Sequence, residues 1–279
     1  MSTKRSMAFT VTDLMSRLKV RSNLELAYRL EGPEQAPVLL LITGLGARLE
    51  SWQYQISAFR KTHRVLCFDN RGCGRSSVLD EPVDMHALAH DAILLMDGLD
   101  IETAHVFGVS LGGKIALQLA LDWPERVQKL VLGCTSSRPV ASSSEAIERL
   151  VHSSSMELSD VLETLIPLLF GRSYRQSHPR EIEIFARGRV RRPTDPLGLQ
   201  RLWQAHQSFD VTERLPSLQH ATLIVTGDDD ALIDPLNSVM LEEAIPHASR
   251  TVIPDAGHSF HVERPQWVND VLAKFLSDG

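Results

Sequence analysis

Residues 108–113 read GVSLGG, a serine with a glycine two residues away on either side. Alone, such a run can be a plain tight turn. Here an apolar, strand-like run, HVFGV (105–109), precedes it, and a helix-like segment, LGGKIALQLALDW (111–123), follows. A serine forced into a sharp strand-to-helix turn projects its hydroxyl. Gly108 and Gly112 let strand and helix approach closely, and a helix N-terminus favours developing negative charge. Ser110 is therefore the candidate nucleophile. A serine hydroxyl is weak near neutral pH, so it needs a base, and the base needs an orienting acid.

Eleven histidines compete for the role of base, and position separates them. His63, His86 and His90 precede the nucleophile and His105 lies in its strand, where core or surface roles suit them better. His152, His178 and His206 fall in a later helical block, and His220 and His247 stand at the starts of strand-like runs. In DAGHSFHVERP, His258 follows the run SRTVIPD, and the glycine before it suits a loop at a strand's carboxyl end. His258 is the expected base. His261, one turn further, is a packing neighbour or a substrate contact. The acid is sought in GDDDALIDP (227–235), three adjacent aspartates directly after the apolar run ATLIVT. That places them too at a strand's carboxyl end, where open α/β sheets hold their sites. Spacing alone does not choose among Asp228, Asp229 and Asp230.

Strand-like and helix-like segments alternate along the chain. RLKVRSN (17–23) and LELAYRLEG (24–32) read as a hairpin, and PVLLLITG (37–44), HRVLCFDN (63–70) and VQKLVLGCT (127–135) as further strands. SWQYQISAFRKT (51–62) and MHALAHDAILLMDGL (85–99) have helical spacing. From 136 to 210 only helical pieces occur, such as SSEAIERLVHS and LSDVLETLIPLLF. Alternation resumes with ATLIVTG (221–227), a helix near 235–245, SRTVIPD (249–255) and a final helix, QWVNDVLAKFLSD (266–278). Repeated strand–helix units indicate an α/β fold with a mostly parallel sheet. The block in between reads as an insertion capping the sheet's edge.

The bulk properties exclude other classes. The 279 residues, 43% of them hydrophobic, suffice for a large buried core. A net charge of −6 argues against nucleic-acid or membrane-surface partners. Cys67, Cys73 and Cys134 lack metal or disulfide spacing, which favours a reducing, cytoplasmic setting. The N-terminal run MSTKRSMAFTVTDLM has no apolar core of signal-peptide length, and no stretch approaches a membrane span. No cofactor or metal is implied. The expected partners are a small-molecule substrate and, at most, a second copy of the chain in a homodimer.

With TGLG (43–46), DNRGCGRSS (69–77), GVSLGG, GDDDALIDP and AGHSFHVERP in this order, the chain resembles an α/β-hydrolase-fold serine hydrolase of the group with a helical cap. The resemblance covers nearly the whole chain. It implies a mostly parallel central sheet with helices on both faces, a core of residues 1–135 and 211–279, and a cap of residues 136–210. In the family pattern the acid lies three residues after the glycine closing its strand, which is Asp230 here. The oxyanion hole would be the backbone N–H of Leu111, directly after the nucleophile, and of Leu45, in the loop after PVLLLIT. Family members usually carry His-Gly in that loop, whereas this chain has Thr43-Gly44. Asp69 and Arg71 are expected to brace the loop behind the site.

A serine nucleophile sets the chain apart from the family's dehalogenases and epoxide hydrolases, which attack with aspartate. It implies an acyl-enzyme and cleavage of a small carboxylic ester or lactone. Between residues 172 and 201 eight arginines face three acidic residues, densest in RGRVRRP (187–193). A solvated helix face is the plain explanation. The sharper one is that Arg189 or Arg191 pairs a substrate carboxylate, as the guanidinium fork suits. Small acidic lactones such as 3-oxoadipate enol-lactone would fit, and the chain is similar in length and layout to such lactonases. The alternatives are carbon–carbon hydrolysis of a dienoic ring-cleavage product and a non-enzymatic ligand receptor that keeps the triad.

Overall fold

The computed structural model describes residues 15–139, 148, 151 and 156–277. Most of SSEAIERLVHS (143–153), His152 and residues 1–14 lie outside them. Eight strands form one sheet in the order β1-β2-β4-β3-β5-β6-β7-β8. β1 (Ser16–Arg21) and β2 (Leu24–Glu31) make the expected antiparallel hairpin, and β2 runs antiparallel to β4 (Arg64–Phe68). β3 (Val38–Ile42), β5 (Ala104–Val109), β6 (Val127–Gly133), β7 (Thr222–Gly227) and β8 (Ala248–Ile253) run parallel to one another and to β4. β3 lies between β4 and β5, so the chain winds one way to β4 and the other way to β5. Such a reversal opens a crevice at the strands' carboxyl ends.

The apolar runs are continuous because both sheet faces are covered. In β3, Leu39 and Leu41 pack with Trp52, Ile56 and Phe59 on one face, while Leu40 and Ile42 pack with Ala92 and Ile115 on the other. Each fully buried leucine contributes roughly 1.5–3 kcal/mol. The first face carries α1 (Gln53–Phe59), and the second carries α2 (Met85–Asp97) and α3 (Leu111–Asp122). Asp84 caps α2 by accepting from the Ala87 N–H at 2.8 Å.

Between β6 and β7 the regular elements among the described residues are helical: α4 (Leu158–Asp160), a π turn (Val161–Leu165), α5 (Ile166–Leu169), α6 (Arg172–Ser177), α7 (Pro179–Arg191), α8 (Pro196–Gln207) and a 3-10 turn (Thr212–Ser217). The helices meet loops at the strands' carboxyl ends. Arg189 reaches Gly46 after β3, and the Arg172 N–H reaches Asp229 after β7. Gly198 abuts Gly72 after β4 so closely that a Cβ on Gly72 would lie 2.6 Å from the Gly198 Cα. The chain ends in α9 (Leu236–Ala244), α10 (Phe260–Glu263) and α11 (Pro265–Ser277). Among the described residues no helix is long and apolar enough to cross a membrane.

Candidate active site

Ser110 sits at the turn between β5 and α3 with φ of 59°, a left-handed backbone that costs a serine about 1–2 kcal/mol. The turn is pinned from β6. The Ser110 N–H donates to the Gly133 carbonyl at 2.8 Å, and the Ser110 carbonyl accepts from Thr135 Oγ1 at 2.8 Å. Side chains are excluded around it: a Cβ on Gly112 would lie 2.1 Å from the Ile42 carbonyl oxygen. The glycines of GVSLGG therefore serve the close approach that the turn requires.

The aspartate triplet divides by burial. Asp228 and Asp229 are exposed, while the Asp230 side chain has no solvent exposure. Asp230 Oδ1 accepts from the N–H groups of Leu232 and Ile233 at 2.8 and 2.9 Å. Its Oδ2 lies 2.9 Å from Nδ1 of His258, which is 6% exposed. Asp229 instead accepts from the Arg172 N–H at 2.5 Å, and Asp228 from the Ala256 N–H at 3.4 Å. Cys134, with φ of 42°, brings its sulfur within 4.8 Å of ligand atoms of both Asp230 and His258. Burial, and next the Asp230 charge, push its thiol well above the ordinary range, so it is protonated and unreactive at neutral pH.

Leu45 and Leu111 are both buried, and among the described residues neither gives its N–H to another backbone group. Where the family pattern has histidine, the Thr43 carbonyl accepts from Asn70 Nδ2 at 3.0 Å, so the neighbouring loop supplies the missing support. Gly46, with φ of 65°, closes the loop after β3. Its carbonyl accepts from Arg189 at 2.6 Å and from Thr194 Oγ1 at 3.0 Å. Asp69 accepts from the N–H groups of Leu49 and Arg75, and Arg71 grips Asp91 with two bonds of 2.5 Å. These bonds bracket the loop behind the site.

The cap arginines separate as well. Arg189 is half-buried against the loop after β3, whereas Arg191 is exposed in the last turn of α7. His261 is buried, its ring 4.8 Å from that of Trp52, and burial pushes its pKa down to about 3. Lys114 and Glu263 are among the buried ionisable groups that escaped the sequence reading. Lys114, one turn after Ser110, is 1% exposed, with its Nζ 5.3 Å from the Phe209 ring centroid and no hydrogen-bond partner among the described residues. Its signal was the single charge in the apolar helix LGGKIALQLAL. Glu263 is 4% exposed, and its signal was an acid five residues after His258.

The chain matches the alpha/beta hydrolase fold family over residues 37–265. A Caulobacter vibrioides protein provisionally named carbamate hydrolase RutD is 31% identical, over 94% of this chain and 99% of its own length. A poly(3-hydroxyalkanoate) depolymerase from Ectopseudomonas oleovorans is 32% identical, over 91% and 89%. The crystal structure of the enol-lactonase from Burkholderia xenovorans LB400 superposes with a TM-score of 0.84 at 27% identity, over 92% of this chain and 98% of that one.

Proposed function

The chain belongs to the alpha/beta hydrolase fold family, and from that premise we propose that it cleaves a small carboxylic ester or lactone through an acyl-enzyme. The observation that carries this reading is the buried His258–Asp230 pair, 2.9 Å apart, on loops at the same end of the sheet as the strained Ser110. Asp230 occupies Nδ1, which leaves Nε2 of His258 to exchange protons. Ser110 Oγ attacks the acyl carbon as Nε2 takes its proton. The N–H groups of Leu45 and Leu111 meet the oxygen that becomes negative. His258 then returns the proton to the leaving alkoxide, and a water, deprotonated by the same nitrogen, releases the acid.

The relatives' names point to a carbamate, a poly(3-hydroxyalkanoate) and an enol-lactone. Each offers an acyl carbon bonded to a heteroatom leaving group, which one acyl-transfer site can serve. In this reading residues 1–135 and 211–279 form the hydrolase core, and 136–210 form the cap that selects the acyl group. Arg189 and Arg191 are the proposed contacts for an acidic substrate. Ser110→Ala should abolish both fluorophosphonate labelling and hydrolysis across a panel of p-nitrophenyl esters and lactones. Labelling that persisted in the variant would place the nucleophile elsewhere.

A further inference from the structure

Glu263 accepts from two backbone N–H groups on separate segments, one of them shared between its two oxygens. Its Oε2 takes the Gly171 N–H at 3.0 Å and the Gly257 N–H at 3.2 Å, and its Oε1 takes the Gly257 N–H at 3.1 Å. Gly257 immediately precedes His258. Gly171 lies between α5 and α6, in the inserted helices. The two backbones touch: a Cβ on Gly257 would lie 2.4 Å from the Gly171 nitrogen. On the far side of His258, the Ser259 N–H donates to the Leu169 carbonyl at 2.8 Å. His258 is thus flanked on both sides by residues bonded to the inserted segment or to the carboxylate that grips it.

A buried carboxylate is costly unless its lone pairs are filled, and here backbone donors from two segments fill them. We propose that Glu263 is a positioning residue for His258, a buried carboxylate that fixes the base's loop and fastens the inserted helices to it. Seating those helices and aligning the imidazole are then one event. The proposal rests on the reading of His258 as the base. The charged and titratable groups facing Glu263 are Arg264 on its own helix, Asp230 from the acid's loop and Tyr174 from α6. Burial pushes its carboxyl up to about 7, against the pull of the Gly257 and Gly171 N–H bonds, so its charge changes near neutral pH.

The test compares the full-length wild type with Glu263→Gln and Glu263→Asp. The first keeps the shape but turns an amide donor toward N–H groups. Glu263→Gln should lower kcat on p-nitrophenyl esters roughly 10²-fold with KM within about twofold, the loss expected of a displaced catalytic group. It should also shift or broaden the low-field proton signal of the His258–Asp230 hydrogen bond. The acid limb of the kcat profile should be steeper in the wild type than in Glu263→Gln, which lacks the titrating carboxyl. Glu263→Asp, which keeps the charge on a shorter arm, should recover part of the rate, and it carries the test if the glutamine variant does not fold. An unchanged low-field signal together with an unchanged kcat overturns the proposal. Wild-type protein without turnover would count against the ester-hydrolase reading, while the imidazole signal still decides the role of Glu263.

Discussion

Asp230 is fully enclosed while its two neighbours face outwards, although the three residues are chemically identical. The sequence places all three at a strand's carboxyl end but carries no periodic pattern across them, so nothing in spacing shows which side chain turns inward. The local N–H groups of Leu232 and Ile233 do that by filling one oxygen and aiming the other at His258. Asp230→Asn should cost on the order of 10⁴ in kcat, because the amide favours the wrong imidazole tautomer. Asp228→Asn and Asp229→Asn should each stay within about tenfold of wild type on the same ester. A larger loss at Asp229 would shift the acid by one residue and leave the serine mechanism intact. The placement of Ser110 and His258, by contrast, was legible, because a glycine-flanked serine and a glycine-preceded histidine each follow a strand that hydrophobic patterning locates.

At the scale of elements, strands and core helices follow their apolar periodicity closely, since both sheet faces demand it. The inserted helices were legible as helices but not in their placement. That depends on backbone approaches, such as Gly72 against Gly198, and on single polar contacts, neither of which leaves a repeat in the sequence. The arginine-rich helix α7 shows the difference. Arg189, at its inner side, is engaged with the Gly46 carbonyl, whereas Arg191 is exposed in the last turn. Arg191 is therefore the cleaner probe of anion recognition, free of effects on the Gly46 loop. Arg191→Glu should raise KM for an anionic ester or lactone about tenfold and leave a neutral ester unchanged. Equal effects on both substrates would remove the arginine from substrate selection.

Across the whole molecule, several titratable groups are folded away uncharged. His206, stacked 5.0 Å from Trp203, is held down to about 3 by burial, with Lys114 adding to the shift. Its folded value lies below its unfolded one, so its contribution to stability is complete above about pH 6.5 and is lost as pH falls toward 3. Glu263 acts in the opposite sense. Its raised value makes the folded state more proton-hungry, adding stability as pH falls from about 7 toward 4.5. A comparison between variants isolates one group from the other. His206→Phe, which keeps a ring against Trp203, should lose less stability than wild type between pH 6.5 and 4, by on the order of a few kcal/mol in urea unfolding. Parallel pH curves for the two proteins would show that His206 is not held neutral. The contacts of the inserted helices with Gly46, Gly72, Asp229 and the Glu263–Gly257 pair have a last consequence, for inheritance. A relative's insert could not be grafted onto this core as a cassette. Its seam residues would have to travel with it, so exchanging the insert would mean rewriting the core loops it bonds as well.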